Sequence, residues 1–150
     1  MKSKLLQQDG ARSFALVFDR GDEVMEGLLA FAREQHLDAA HFTGIGALSD
    51  AVLGFFDWQS KQYRRNPVAE QVEVVSLVGD VTKGEKPGET VIHAHIVLGR
   101  ADGAALGGHL IEAHVRPTLE VVITETPAHL RRRKDPVSGL ALIDLKEHAR

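Results

Sequence analysis

Glu23-Val-Met-Glu-Gly-Leu-Leu-Ala-Phe-Ala-Arg-Glu-Gln35 decides the fold class, because apolar residues recur there at helical spacing. Val24, Met25, Leu28, Leu29, Phe31 and Ala32 form one stripe of an amphipathic helix. Asp22 is the expected N-cap, and His36 ends the helix, where a cation suits the dipole. The stripe needs a surface to cover, most simply a sheet. On both sides of the helix the period is two. Ser13–Phe18 reads as a first strand, and Ala40–Leu48 as a second with glycines that suggest a bulge or close backbone approach. Ala51–Trp58 and Lys61–Arg64 read as a hairpin. Gln71–Val81 and Thr90–Leu98 are strands separated by the turn Lys83-Gly-Glu-Lys-Pro-Gly88. Gly107–Val115 and Thr118–Thr126 are strands meeting near Pro117, and Leu140–Leu145 is a last strand. One helix followed by strands with no helix between them specifies an α+β domain with a largely antiparallel sheet.

A chain of 150 residues with 43% hydrophobic and 26% charged content fits one domain, 1–150, with its core in about 10–145. The formal charge of −3 provides no global field toward nucleic acid or an acidic membrane. With no cysteine, disulfides and thiolate sites are excluded, so any metal must be held by nitrogen and oxygen. No run approaches the roughly 18 apolar residues of a membrane helix, and the N-terminus lacks the pattern of a signal peptide. A cytoplasmic location is the expectation.

Eight histidines against one tryptophan and one tyrosine is the unusual feature of the composition. In Val91-Ile-His-Ala-His-Ile-Val97, strand alternation puts His93 and His95 on one face, their Cα atoms roughly 6.5 Å apart. His109, in Leu106-Gly-Gly-His-Leu110, follows a short connection through Arg100-Ala-Asp-Gly103 that returns the chain beside the first strand. Cross-strand neighbours lie about 4.5–5.5 Å apart, so His109 completes a three-histidine face. Gly107 and Gly108 are expected to leave room for an ion. Three neutral imidazoles with a coordination position left over is the arrangement of catalytic zinc sites. Zn2+, or another divalent transition metal, is the expected cofactor, and metal-dependent lyase or hydrolase chemistry the corresponding enzyme class.

Glu120 is the candidate catalytic acid or base, with pairing to Arg116 as the alternative for an acid in a strand. Glu112 and His114 are expected to face away from His109. His41 reads as a core or interface residue, and His129 and His148 as exposed. Arg131-Arg-Arg-Lys134 is the one basic run that could meet phosphates, although a solvated turn is the favoured reading. Phe55, Phe56 and Trp58 are candidate anchors for an interaction surface.

These pieces together resemble a known family. Gly44-Ile-Gly-Ala-Leu48 with Ala51-Val-Leu-Gly54, Glu73-Val-Val-Ser-Leu-Val-Gly79, His93-Ala-His95, Gly107-Gly-His109 and Thr118-Leu-Glu-Val-Val-Ile123 stand in the order found in the plants-and-prokaryotes-conserved (PPC) domain. The resemblance implies a compact α+β domain that assembles as a homotrimer. In plants the domain accompanies AT-hooks centred on R-G-R-P, in proteins that bind A·T-rich DNA. By analogy, prokaryotic relatives are described as DNA-binding proteins or transcriptional regulators. This chain has no R-G-R-P segment and carries histidines that the plant domains generally lack. The fold is also similar to that of acetolactate decarboxylase, a metal enzyme with an H-x-H pair and a later histidine on zinc. The expectation is a metal-binding homotrimer with a small-molecule or enzymatic role, and DNA binding as the alternative.

Overall fold

The computed structural model describes residues 1–126 and 130–145. Its elements are β1 (Lys2–Gln7), β2 (Ser13–Phe18), α1 (Val24–Glu34), β3 (Ala39–Asp57), β4 (Gln62–Val68), β5 (Val72–Lys83), β6 (Thr90–Gly99), β7 (Ala105–Glu125), β8 (Arg131–Lys134) and β9 (Ala141–Asp144). All the strands belong to one sheet, antiparallel except for a single parallel rung between β5 and β8. The expectation of a mostly antiparallel sheet with one helix is met. The histidines at 129 and 148 lie outside the described residues.

The helix begins one residue later than the sequence suggested. Glu23 is the N-cap, and its carboxylate accepts from the Glu26 N–H. Asp22 instead accepts from the Asp19 N–H at 2.9 Å and pairs with the N-terminal amine at 2.6 Å. Beyond Gln35, His36 takes the left-handed conformation (φ 52°) that lets the Leu37 N–H reach the Ala32 carbonyl at 2.9 Å. Val24, Leu28, Phe31 and Ala32 are buried with Phe14, Leu16 and Phe18 of β2. The Phe14 and Phe31 rings meet edge to face at 5.2 Å.

Two strands are longer than the sequence pattern implies. β3 runs 19 residues through both the second expected strand and the first arm of the hairpin. β7 runs 21 residues straight through Pro117, joining two expected strands into one. Bulges make this length possible: the β3–β5 register shifts between Gly44 and Gly46, and the β3–β7 register shifts between Gly46 and Leu48. Gly46 has φ 156°, and a Cβ there would collide with the Thr118 carbonyl and Leu119 backbone, so both conformation and space require glycine. Because β7 pairs with β3 along its length and with β6 at its start, β3, β5, β6 and β7 close a circuit of pairings.

Candidate metal centre

β6 alternates cleanly: Ala94, Ile96 and Leu98 are buried in the core, so His93, His95 and Val97 point to the other face. His95 and His109 occupy directly paired positions on β6 and β7. That rung is the last one between the two strands. Past it, β7 leaves β6 and continues against β3, where His109 is opposite Gly54. His93 stands beyond the split, at the mouth of the opening. The ring centroids are 5.0 Å (His93–His95), 5.1 Å (His93–His109) and 5.5 Å (His95–His109) apart. Each residue offers one nitrogen to a group whose members lie within 4.8 Å of one another. Small side-chain rotations bring such a group onto one ion at about 2.0–2.1 Å.

The environment disfavours the charged form of two of these rings, His109 and His95. Burial, then the neighbouring His93, His95 and Arg132, pushes the His109 pKa down to about 4. Partial burial and His93 lower that of His95 as well. His109 Nδ1 is sealed from solvent and has no hydrogen-bond partner among the described residues. A buried polar atom left unpaired costs about 1–3 kcal/mol, and a cation would give that nitrogen the partner it lacks. Three imidazole nitrogen donors, with no thiolate in the chain, fit zinc or a similar divalent transition ion better than magnesium or calcium, which favour oxygen. The donor set fits the expected metal.

Three residues that sequence reasoning did not place complete the surroundings. Asp80 is opposite His93 on β5, with its carboxylate Oδ2 3.8 Å from His93 Nδ1. Arg132, 6% exposed, reaches in from β8. Its Nη2 lies 2.8 and 2.9 Å from the two Asp80 oxygens and 3.2 Å from His93 Nδ1. Burial would raise the Asp80 pKa, but its contacts with His93 and Arg132 outweigh this and lower it. Tyr63 of β4 stacks on His109 at 4.7 Å, and Phe56 and Trp58 continue the aromatic row. The alternation Asp80–Thr82 on β5 and the single inward arginine of β8 were the available signals; both depend on cross-strand register.

Several expectations are corrected. Arg131–Lys134 is a strand rather than a solvated turn, since Arg132 is drawn inward by Asp80 and pairing with β9 fixes the alternation. Gly108 does not make room for an ion; a Cβ there would press on the Gly54 carbonyl, so this glycine lets β7 and β3 approach. Glu120 is exposed and opposite Ile45 and Val17. Ile45 is nine positions along β3 from Gly54, the partner of His109 (54 − 45). The route across the sheet is shorter: three strand spacings of about 4.8 Å, through β3 and β5 to β6, put Glu120 roughly 15 Å from the strand that carries His93 and His95, well beyond contact within one chain. His41 is exposed rather than part of the core. Glu112 pairs with Arg65 at 3.3 Å, and His114 with Asp50 at 2.7 Å, both apart from the triad.

The triad's face continues across the sheet. Val122, Thr43, Val78, His95 and His109 follow one another as paired positions on β7, β3, β5, β6 and β7. Val17, Ile45, Val75, Val78 and Val122 are all exposed there, Ile45 at 62%.

The sequence pattern of the Plants and Prokaryotes Conserved (PCC) domain matches residues 6–127. The chain belongs to this family. PPC and PCC abbreviate the same name. A PPC protein from Pyrococcus horikoshii superposes with a TM-score of 0.83 at 27% identity, covering 98% of this chain and 97% of its own. A metal-containing protein from Archaeoglobus fulgidus gives 0.81 at 30% identity, covering 95% and 96%. A Bacteroides thetaiotaomicron protein provisionally described as DNA-binding gives 0.83 at 27%, covering 95% and 96%. A Staphylococcus aureus protein similar to alpha-acetolactate decarboxylase shares the fold alone, with a TM-score of 0.56 at 12% identity over 78% of this PPC chain and 53% of its own. The bifunctional protein GlmU of Synechococcus sp. (strain JA-3-3Ab) is 27% identical over 132 residues, and the PPC chain spans 20% of its length. No helix among the described residues is long and apolar enough to cross a membrane.

Proposed function

We propose that this PPC protein is a homotrimeric metal-binding protein in which His93, His95 and His109 hold one divalent transition-metal ion, zinc by donor chemistry, beside a small-molecule site. The convergence of three imidazoles, with the sealed His109 Nδ1 that has no partner among the described residues, carries this reading. The metal-containing Archaeoglobus relative supports it. A bound ion would supply Lewis acidity or an activated water, the chemistry of metal-dependent lyases and hydrolases. The chain's own residues would hold the ion, exclude solvent on the Tyr63 side and orient His93 through Asp80. No proton-transfer role is assigned to Glu120.

The number three comes from the family resemblance. The exposed strip of Val17, Ile45, Val75, Val78 and Val122 supports self-association, because monomers rarely leave contiguous apolar surface uncovered. Metal analysis of protein purified without a nickel column tests the site, with about one ion per chain expected. Near-zero content that added zinc does not restore would remove the reading. Light scattering tests the assembly, with three chain masses expected.

DNA binding is the second reading and rests on how relatives such as the Bacteroides protein are described. Its strongest carrier in the sequence, the basic run, is weakened here because Arg132 is buried against Asp80 and Arg133 pairs with Asp144 at 3.1 Å. A mobility shift at about 50 mM salt that disappears in the triple alanine variant at 131, 132 and 133 would favour it.

A further inference from the structure

The β8–β9 hairpin lies outside the residues matched by the family pattern, yet it sends a buried side chain to the triad. Its backbone is joined to the body of the sheet by one rung, Lys83 with Arg131, supported by the Lys83 N–H donating to the Leu130 carbonyl at 2.9 Å. The Lys134 N–H also donates to the Glu85 carboxylate. Arg132 is the interior anchor. Its Nε donates to Thr82 Oγ1 at 3.2 Å, Nη1 to the Ala141 carbonyl at 2.9 Å, and Nη2 to Asp80. With its donors engaged this way, Arg132 is a positioning residue rather than a group that could grip a substrate.

His93 Nδ1 stands between a donor and an acceptor. Arg132 Nη2 is 3.2 Å away and Asp80 Oδ2 is 3.8 Å away. While Arg132 donates to Nδ1, the proton of a neutral His93 must sit on Nε2, which then cannot ligate. Ligation through Nε2 would require that proton on Nδ1. The contact with Arg132 then sets donor against donor, and Nδ1–H turns to Asp80, sharing the carboxylate that holds Arg132. The guanidinium charge also repels a cation at the triad. Hydrogen bonding and charge act in the same direction.

We propose that the docked β8–β9 hairpin and the metal ion compete for His93: ion binding frees Nδ1 from Arg132 and loosens the hairpin, while the docked hairpin weakens ion binding. The two effects are reciprocal, as linkage requires. This inference rests on the metal reading above and extends it to a segment that sets the affinity of the site.

The test uses the full chain, zinc and a competing chelator, with hydrogen exchange read at the amides of residues 131–134. Zinc is expected to speed exchange there in the wild type. Arg132→Gln is expected to raise zinc affinity by about threefold to tenfold, the worth of one hydrogen bond. Asp80→Asn is expected to lower it by about tenfold or more, because the imidazole exchanges a charged carboxylate acceptor for a neutral amide. Opposite signs from the two partners of one ion pair distinguish this arrangement from simple loss of packing, which would weaken binding in both. Should Arg132→Gln fail to fold, the wild-type exchange measurement still decides. Zinc uptake with exchange at 131–134 unchanged or slowed overturns the competition alone. No zinc uptake by the wild type overturns both it and the metal reading.

Discussion

His109 and His114 lie five positions apart on the same strand and meet opposite fates (114 − 109). His109 is half-buried between two other imidazoles and the Tyr63 ring, and its pKa is pushed down to about 4, chiefly by burial. His114 has Asp50 at 2.7 Å, and this hydrogen bond raises its pKa. Ser49 Oγ donates to the same Asp50 carboxylate at 2.7 Å. Burial disfavours the charged form of one ring, while a carboxylate partner favours the charged form of the other. The strand does not distinguish them. The difference comes from what β3, β4 and β6 place opposite each position.

The largest expected effect separates the two directly. His109→Ala should reduce metal content from about one ion per chain to near zero, while His114→Ala should leave it unchanged; elemental analysis of the two variants checks this. Equal loss in both would erase the distinction. Next in size is the cover over His109. Tyr63→Ala removes a stacked aromatic contact and should cost about 1 kcal/mol of stability in chemical denaturation, within the 0.5–1.5 kcal/mol range of such pairs.

The smallest effect concerns the ion pair. Asp50→Asn should return the His114 pKa toward its ordinary value near 6.5, followed by NMR titration of the ring. Stability should change by under about 1 kcal/mol, because both side chains are more than a third exposed and solvent screens the pair. The pH dependence has a definite sign. The raised His114 pKa means its contribution is complete below about 6.5 and lost as pH rises through the folded value. The lowered Asp50 pKa, where His114 and Ser49 prevail over burial, means its contribution is present above about 3.8 and lost as pH falls through the folded value. Denaturation curves should therefore differ between wild type and Asp50→Asn most near pH 6 and least well above the His114 pKa.

What could be read in the sequence was local. The spacing of His93 and His95 fixes a common face by strand alternation, and the short return to Gly107-Gly-His109 fixes their neighbour. The helix stripe and the glycine bulge near Gly46 were legible for the same reason. Asp80 was not, because its position opposite His93 depends on a register that shifts between Val74 and Ser76. Arg132 was hidden by its neighbours: three arginines in a row read as solvated until strand alternation turns the middle one inward. The unbroken lengths of β3 and β7 were also hidden, since Pro117 and the glycines look like punctuation, whereas bulges absorb them. Glu120 had the chemistry of a catalytic acid but not the address.

The line of paired positions from Val122 through Thr43 and Val78 to His95 has a kinetic corollary. A neighbouring subunit seated on those valines would arrive with its rim at the imidazole of His95. An ion that loads before docking would come from open water, and one that loads afterward would have to pass along the seam. Chains mixed with zinc before and after association should then fill at different speeds, even if they finish in the same state.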